Sequence, residues 1–510
     1  MSDTNSKKVK ITLNGKEIEA PAGQNLLDAA DANGVEIPRY CYHPGLSVAG
    51  QCRMCMVEVE GNPKLQIGCN IRCSDGLKVI SDSEKVKNAV KWSLEYHLVN
   101  HPIDCPICDQ AGECGLQEYY MEHGQYKSDM HEQKVNKQKV VDLGDHIVLD
   151  KERCILCSRC VRFTQEISKT SEFGIFNRGD RSVIGTVDDK PLTGNYQVNT
   201  VDICPVGALT SKDFRFEQRV WFLDETESVC SGCSKGCNVF VHHKKGKHIY
   251  RLKPRFNEAV NSYWMCDKGR YTYKDSNYDR RLSNAKMAGV DIPYSEAIQT
   301  WASDLRVLVA TERTDEIGVW ISPHHSNEEL NSILDTFSGK LKVTKFYSEN
   351  IEQIVQKDES VDGFLLRSDP YPNSKGFLST LQGKKVKTQS TDDLIQTIKK
   401  GGVSHIVLIC PEGQRILPEM LKISKVLSPF QFVIVLTPQL AAMEIFSAAL
   451  SLPTLGHYEK TGTFINHAGI VQHTAAGFKM FKESHSVTDI LNDLMIAQAK
   501  PAETRERMAT

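Results

Sequence analysis

The 510-residue chain has no excess of basic residues and no long uninterrupted apolar run. Lysine and arginine total 62 against 64 acidic residues, which gives a net charge of −2. Without a basic excess the chain lacks the electrostatic signature of nucleic-acid binding, so no nucleic-acid partner is expected. Its most apolar stretch, 430–452, is interrupted by Pro438, Gln439 and Glu444, so no direct membrane span is expected.

Two further signals are missing. The first ten residues contain no apolar segment of the signal-peptide type, so no secretory signal is expected. The sequence also has neither a Walker A loop nor a G-x-G-x-x-G run after a predicted strand. A nucleotide site is therefore not predicted.

Cysteine is nearly absent from the second half of the chain. Sixteen of the seventeen cysteines precede residue 267, and Cys410 is the one that follows. A secreted disulfide protein is one explanation, but the repeated C-x-x-C pairs and the lack of a signal peptide fit it poorly. Metal ligation in a reducing compartment is the better interpretation.

The first cysteine group lies in a predicted small mixed sheet. Alternating residues and an Asn14-Gly15 turn predict a hairpin over 8–20, followed by a short helix near 24–33. Further strands are predicted near 56–60, 64–68 and 77–80, the arrangement of a plant-type ferredoxin with a β-grasp fold. The candidate ligands are Cys41, Cys52, Cys55 and Cys69. Cys73 could replace Cys69, but we expect it to be a free buried thiol.

The second group follows a predicted amphipathic helix over 84–100. Its ligand candidates are His101, Cys105, Cys108 and Cys114. This set suits either tetrahedral zinc or an iron–sulfur cluster with one imidazole ligand, and the spacing does not decide between them. His97 lies one helical turn before His101, and we expect it to be a core histidine rather than a ligand.

The third and fourth groups each contain four cysteines. Cys154, Cys157 and Cys160 form a C-x-x-C-x-x-C run, which with a remote Cys204-Pro205 is the bacterial ferredoxin pattern for a [4Fe–4S] cluster. The fourth group, for which zinc is an alternative, is Cys230, Cys233, Cys237 and Cys266.

Beyond residue 274 the pattern changes to alternating strands and helices. Helices are predicted over 295–305, 391–400 and 417–426, and Ser326 to Glu329 forms a capping box. Strands are predicted at 317–321, 363–367, 404–410 and 430–436, and the last two are apolar runs typical of strands buried on both faces of a parallel sheet. A doubly wound α/β domain is the expected fold.

The order of the four groups resembles the large iron–sulfur subunit family of respiratory complex I, the 75 kDa subunit family. His-Pro-x-Asp-Cys-Pro-x-Cys-Asp-x-x-Gly-Glu-Cys over 101–114 is the most specific part, and the resemblance covers residues 8–280 closely. It implies one [2Fe–2S] cluster on the first group. It implies three [4Fe–4S] clusters on the others, one of them with His101 as a ligand.

The resemblance also implies the organisation of the chain. Five domains are expected: a [2Fe–2S] domain, a His/Cys3 [4Fe–4S] domain, a ferredoxin-like [4Fe–4S] domain, a further [4Fe–4S] domain and an α/β scaffold, at 1–84, 85–130, 131–222, 223–280 and 281–510. The scaffold resembles a shortened molybdopterin-oxidoreductase domain through 367–373 and 459–472. Molybdopterin itself is not expected, because beyond 266 Cys410 is the only candidate metal ligand.

The implied function is one-electron relay within a proton-translocating NADH–quinone oxidoreductase, with no catalytic residue and no NADH site in this chain. The implied partners are the NADH/FMN-binding subunit and the quinone-side hydrophilic subunits, in the peripheral arm at the cytoplasmic face of the bacterial inner membrane. Alternatives are an electron-transfer subunit of an NAD-linked hydrogenase or formate dehydrogenase, and a zinc-binding assembly scaffold.

Overall fold

A computed structural model describes residues 7–244, 248–277, 280–410, 417–428, 431–446 and 449–499. The chain divides into two compact units between Phe222 and Leu223. In the described residues, no helix is long and apolar enough to cross a bilayer.

The first unit contains ten strands and five α-helices among its described residues. Its strands are β1 (Lys8–Leu13), β2 (Lys16–Pro21), β3 (Met56–Val59), β4 (Gln66–Ile67), β5 (Lys78–Ile80), β6 (Val141–Asp142), β7 (Ile147–Leu149), β8 (Phe173–Phe176), β9 (Val183–Thr186) and β10 (Leu209–Ser211). Its helices are α1 (Leu26–Asp31), α2 (Glu84–Leu98), α3 (Gly115–His123), α4 (Arg159–Glu166) and α5 (Asn199–Asp202).

The N-terminal sheet has the order β2-β1-β5-β3-β4. β1 and β2 form the predicted hairpin, and β5 pairs with β1 in parallel. Inward-facing residues of β1, including Ile11 and Leu13, pack on Leu26 and Leu27 of α1. This is the mixed sheet with one helix that the alternation predicts, and it leaves a long loop from Cys41 to Cys55 between α1 and β3.

The rest of the first unit consists of short elements around a second core. β10, β7 and β6 form one antiparallel sheet, and β8 pairs with β9. The core combines apolar residues of α2, such as Val90 and Leu94, with ligand candidates from three groups, including Cys52, Cys114 and Cys160. The candidate ligands are therefore part of the hydrophobic core rather than additions to its surface.

The second unit is built from strands β11 to β23 and helices α6 to α14. The strands are β11 (Asp224–Val229), β12 (Asn238–Lys244), β13 (His248–Pro254), β14 (Ala285–Met287), β15 (Val290–Ile292), β16 (Ile317–Ile321), β17 (Lys345–Ser348), β18 (Thr388–Ser390), β19 (His405–Ile409), β20 (Phe432–Thr437), β21 (Leu450–Pro453), β22 (Gly462–Ile465) and β23 (Val471–Thr474). The helices are α6 (Asp267–Arg270), α7 (Tyr294–Ala310), α8 (Asn327–Leu334), α9 (Ile351–Gln356), α10 (Ser374–Lys384), α11 (Thr391–Lys399), α12 (Leu417–Ser424), α13 (Leu440–Ile445) and α14 (Val487–Ala499).

An eight-stranded sheet forms the centre of the second unit, in the order β15-β14-β21-β20-β19-β16-β17-β18. The strands from β21 to β18 are parallel to their neighbours, and the β14–β15 hairpin adds an antiparallel edge. Within the parallel part of this sheet, the chain runs from β16 outward to β18. It then returns to β19, beside β16, and continues outward to β21. This is the doubly wound order of two halves that meet between β16 and β19.

Each central strand contributes to two cores, one on either face of the sheet. In β19, Val407 and Ile409 belong to one apolar cluster, while Ile406 and Leu408 belong to the other. Successive side chains of a strand point to opposite faces, so an apolar run is required wherever both faces are covered. The near-continuous apolar runs of β19 and β20 are therefore explained by burial on both faces of the parallel sheet.

The predicted strand at 363–367 is wrong. Those residues form bends, with one isolated bridge between Ser360 and Arg367. Arg367 instead binds the carboxylate of Asp358 through its Nε at 3.2 Å. The strands in this part of the sheet are β17 and β18, which are short and only partly apolar, so their sequence gives little signal.

Candidate metal centres

The four candidate ligands of the first group are buried together at the edge of the N-terminal sheet. Cys41, Cys52 and Cys55 lie on the long loop, and Cys69 follows β4. Hydrogen bonds from Cys52 and Cys69 lower the pKa of Cys41, and the hydrogen bonds of Cys69 to Cys41 and Cys55 hold the pKa of Cys69 above its ordinary value. The thiols are thus in mutual contact.

The cysteine loops hold non-glycine residues in the left-handed region of backbone conformation. Arg53, between Cys52 and Cys55, has φ 57°, and Leu156 and Ser158 in the third group have φ 56° and 59°. Such residues cost of order 1–3 kcal/mol each and persist where the surrounding structure imposes them. Alternation of right- and left-handed residues turns successive backbone N–H groups into a concave anion-binding site, as in many iron–sulfur proteins.

The second group includes a histidine with an unused ring nitrogen. His101 Nδ1 is buried and has no hydrogen-bond partner. Burial lowers the pKa of His101 to about 4, with Arg153 and Lys134 acting in the same direction and Asp104 opposing them. The imidazole is therefore neutral at pH 7 and has a lone pair available for a metal.

Cys108 and Cys114 of the same group are also buried. Cys114 precedes α3, where the backbone N–H groups of Leu116 and Gln117 moderate the effect of burial, which raises its pKa to about 11. Arg219 donates hydrogen bonds to the carbonyl oxygen of Cys108 at 2.6 Å and to that of Pro106 at 2.7 Å. The segment that ends the first unit thus fixes this ligand loop.

The third group lines a small cavity in the first unit. All four of its cysteines contribute to the lining, together with apolar residues such as Leu149 and Ile184. Burial, followed by the charge of Cys157, raises the pKa of Cys154 and of Cys204 to about 12. Thiolates in this position need a cationic partner, which bound metal would supply.

The loops of the third group contact those of both other groups in the first unit. A Cβ atom on Gly207, three residues after Cys204, would lie 2.5 Å from Cys108 Sγ of the second group. On the other side, the Gln51 side chain of the first group donates to the Leu156 carbonyl oxygen at 2.5 Å. The third group is therefore adjacent to both.

The fourth group lies in the second unit between β11, β12 and α6. Its four cysteines are buried. The Gly232 N–H lies 3.4 Å from Cys230 Sγ, and the Gly269 N–H lies 3.3 Å from Cys266 Sγ. A Cβ atom on Gly269 would lie 2.8 Å from Cys230 Sγ, so this turn needs glycine for the sulfur atoms to approach.

Within the described ranges, no three histidine, cysteine or acidic side chains are gathered closely enough to hold a single metal ion. Iron–sulfur clusters contain several metal ions and hold their ligands farther apart than one ion does. The unused nitrogen of His101, the cysteine-lined cavity of the third group and the close approach of backbone to sulfur at Gly207 and Gly269 fit the donor set of a bound metal group.

Four protein families match the four groups in order. Residues 6–84 match a 2Fe-2S iron-sulfur cluster binding domain, and 91–129 match the NADH-ubiquinone oxidoreductase-G iron-sulfur binding region. Residues 144–210 match the ferredoxin-like domain of NADH-quinone oxidoreductase subunit 3. Residues 223–274 match the NDSU1/NuoG-like 4Fe-4S domain of NADH-ubiquinone oxidoreductase.

Named relatives agree with these matches. The chain is 37% identical to the mitochondrial NADH-ubiquinone oxidoreductase 78 kDa subunit of Candida albicans over 375 residues, which are 72% of this chain and 50% of the relative. It is 41% identical to the NADH-ubiquinone oxidoreductase 75 kDa subunit of Reclinomonas americana over 367 residues, 71% of this chain and 52% of the relative. The chain is thus similar to the 75 and 78 kDa subunits of NADH-ubiquinone oxidoreductase over 71–72% of its length.

The chain spans about half of the length of these two curated members of the 75 kDa subunit family. An NADH-quinone oxidoreductase subunit of Streptomyces coelicolor is 40% identical over 307 residues, which are 58% of this chain and 36% of the relative.

A solved structure titled as an NAD+-reducing [NiFe]-hydrogenase in the H2-reduced state matches 42% of the chain and 91% of its own, at 30% identity and a TM-score of 0.38. That structural likeness is too low to support an inference about function.

His97 and Cys73 are the two residues that were considered as ligands and not chosen. His97 donates from Nε2 to the Cys52 carbonyl oxygen at 3.1 Å, and its ring packs edge-on to Tyr40 at 5.0 Å. Cys73 is buried near Asp28, which together with burial raises its pKa. Their neighbours are those of core residues in the N-terminal domain.

The arginines that hold the ligand loops together were not predicted from the sequence. Arg153 binds the Asp104 carboxylate at 2.7 and 3.2 Å and so joins the third group to the second. Arg159 and Arg162 join the third group to the first. The signal available was their position, since all three lie within or beside the C-x-x-C-x-x-C run.

Proposed function

We propose that this chain relays electrons one at a time through four iron–sulfur clusters, as a subunit of a proton-translocating NADH–quinone oxidoreductase. The observation that carries the proposal is the adjacency of the three ligand groups of the first unit, in which the third group contacts both others. Iron–sulfur clusters accept and release single electrons with little movement of their ligands. Adjacent sites of this kind form a path.

The proposed ligands are the sixteen residues of the four groups. A [2Fe–2S] cluster is assigned to Cys41, Cys52, Cys55 and Cys69. Three [4Fe–4S] clusters are assigned to His101, Cys105, Cys108 and Cys114, to Cys154, Cys157, Cys160 and Cys204, and to Cys230, Cys233, Cys237 and Cys266. The unused Nδ1 of His101 and the cysteine-lined cavity of the third group support these assignments.

The contacts favour a spatial order that differs from the order in the sequence. The first group meets the third through Gln51 and Leu156, and the third meets the second at Gly207 and Cys108. Since electron transfer weakens with distance, we propose that the third site passes electrons between the first and the second. The expected domain boundaries place each site in its own domain.

For the C-terminal α/β domain we propose a supporting role, as a shortened relative of the molybdopterin oxidoreductases. Its loops hold the fourth ligand loop: the backbone carbonyl oxygen of Asp369 accepts from the Ser234 N–H at 3.0 Å, and the Gln472 side chain donates to the Gly236 carbonyl oxygen at 2.7 Å. The His457 ring donates to the Val229 carbonyl oxygen at 2.8 Å. We assign no molybdopterin to it.

The proposed partners are the NADH/FMN-binding subunit and the quinone-side hydrophilic subunits, at the cytoplasmic face of the bacterial inner membrane. Co-purification tests this assembly. Flavin- and NADH-binding and membrane subunits are expected with the chain, whereas a nickel–iron or formate-oxidising subunit would instead identify the NAD-linked hydrogenase or formate dehydrogenase alternative.

Metal analysis and cysteine variants test the clusters. The purified full-length chain should contain iron and acid-labile sulfide and show the EPR signals of both cluster types on reduction. Cys69→Ser should remove the [2Fe–2S] signal, whereas its matched control Cys73→Ser should keep it. A colourless protein with about four zinc ions per chain would refute the electron-transfer proposal.

A further inference from the structure

We propose that Arg159 and Arg162 provide shared positive charge that raises the reduction potentials of the clusters at both the first and the third site. This inference rests on the proposed function, because it concerns the clusters assigned there. It assigns the two arginines a role in positioning and tuning, since they touch the ligand loops rather than the metal.

Arg162 connects the two ligand loops directly. Its guanidinium donates to the carbonyl oxygen of Cys41 in the first group and, at 3.4 Å, to that of Cys157 in the third. A further bond reaches the Ser47 carbonyl oxygen, and Nε donates to Ser158 Oγ at 3.2 Å. The side chain is buried, so its charge lies in a region of low dielectric constant.

Arg159 makes a second connection of the same kind. One terminal nitrogen donates to the carbonyl oxygen of Tyr42, next to Cys41, and the other to that of Ile203, next to Cys204, at 3.0 Å. Its Nε is buried without a hydrogen-bond partner. Each guanidinium therefore lies between a ligand loop of the first group and one of the third.

Neither arginine forms an ion pair with a carboxylate in the described part of the chain. The nearby Glu166 accepts instead from the Ser47 backbone N–H at 2.8 Å. Arg39 and Arg153, by contrast, are paired with Asp31 and Asp104. A buried cation without a countercharge is strongly unfavourable, so the arrangement calls for an anion.

The clusters supply that anion. Four thiolates outweigh the positive charge of an iron–sulfide core, and reduction adds one more negative charge. A fixed positive charge nearby therefore stabilises the reduced state more than the oxidised state and raises the reduction potential. Because each guanidinium contacts loops of both sites, removing one should lower both potentials together.

Potentiometric titration of the full-length, cluster-loaded chain, followed by EPR, tests the inference in four variants. In Arg162→Gln and Arg159→Gln, with unchanged iron and sulfide content, the potentials of the [2Fe–2S] cluster and of the third-site [4Fe–4S] cluster should both shift downward. Arg162→Lys retains the charge and should shift them less. The control is Arg39→Gln, which removes a partly exposed guanidinium bonded to Asp31 and to the Ile37 carbonyl oxygen rather than to a ligand loop, and it should shift both potentials much less.

Unchanged potentials in a fully loaded Arg162→Gln protein would overturn the inference, as would an equal shift in Arg162→Lys. Loss of iron from Arg162→Gln with retention in Arg162→Lys would support it, because lysine keeps the positive charge while neither replacement keeps the guanidinium fork. Loss from both would show that the fork of hydrogen bonds matters instead, and would overturn it. Absence of iron and sulfide from the unmodified chain would refute the proposed function itself.

Discussion

His101 is the one candidate ligand that is neutral when it binds metal, since the other fifteen are cysteines. A thiolate in place of a neutral imidazole makes the site more negative, so we expect His101→Cys to retain a [4Fe–4S] signal and to lower its reduction potential. Redox titrations of the variant and of the unmodified chain would measure this difference in potential. The buried and unpaired Nδ1 of His101 is the structural reason for choosing this residue.

His97 provides the control for that experiment. Its Nε2 is already bonded to the Cys52 carbonyl oxygen, so His97→Ala should leave the second-site signal intact and disturb at most the first site. The ligand assignment would be wrong if His97→Ala abolished the second-site signal while His101→Cys left both the signal and its potential unchanged.

Two glycines allow a matched test of how closely the ligand loops must approach. A Cβ atom at position 207 would lie 2.5 Å from Cys108 Sγ, and one at 269 would lie 2.8 Å from Cys230 Sγ. Gly207→Ala should therefore reduce cluster occupancy at the second site, and Gly269→Ala at the fourth, as measured by iron content and EPR. Loss of the same signal in both variants would contradict the separate placement of these two sites.

Among the secondary-structure elements, the hairpin β1–β2, strand β16 and the capping box at Ser326 could be predicted from the sequence. Each depends on residues close in sequence: a turn pair, an apolar run or a side chain three residues from its partner. β17 and β18 could not be predicted because they are short, and their place in the sheet comes from pairing with β16 and with each other. The segment 363–367, wrongly predicted as a strand, is held as a loop by Asp358, which accepts from Arg367.

The start of α8 contains a buried ion pair that stabilises the second unit. Lys460 Nζ lies 2.8 Å from Glu329 Oε2, and both side chains are buried. Lys460→Met would leave the buried Glu329 carboxylate without its lysine partner, and breaking a buried ion pair in this way costs about 3–5 kcal/mol. We expect lower hydrogen-exchange protection in α8, and partial recovery in the double variant with Glu329→Gln. Equal protection in all three proteins would show that the pair does not stabilise α8.

The Glu329–Lys460 pair also makes the stability of the second unit depend on pH. Burial opposes ionisation of Glu329, but Lys460 and His325 outweigh it and hold its pKa below the ordinary 4.5. This stabilisation is therefore present above pH 4.5 and is lost as pH falls toward the folded-state pKa. Denaturation of Glu329→Gln monitored in α8 should depend less on pH below 4.5 than that of the unmodified chain. An identical acid dependence would exclude Glu329 as its source.

At the scale of the whole molecule, the ligand residues could be found from spacing but their arrangement could not. Arg162 and Cys41 are 121 positions apart, and Gln51 and Leu156 are 105 apart. Contacts over such separations leave no periodic pattern in a single sequence. The C-x-x-C runs reveal the candidate ligands because metal geometry fixes local spacing, whereas the meeting of three groups depends on how the domains pack.

The two units should respond differently to removal of metal. In the first unit, cysteines of three groups belong to the main core around Val90 and Leu94, so bound clusters contribute to its folding as well as to its chemistry. The sheet of the second unit, in contrast, is covered by apolar clusters on both faces. Chelation of iron should therefore reduce hydrogen-exchange protection in α2, α4 and β7 far more than in β16, β19 and β20. Since both sets of amides are measured in the same sample, the sheet is the internal control. Full native protection in the first unit of the iron-free chain would show that its core is stable without clusters.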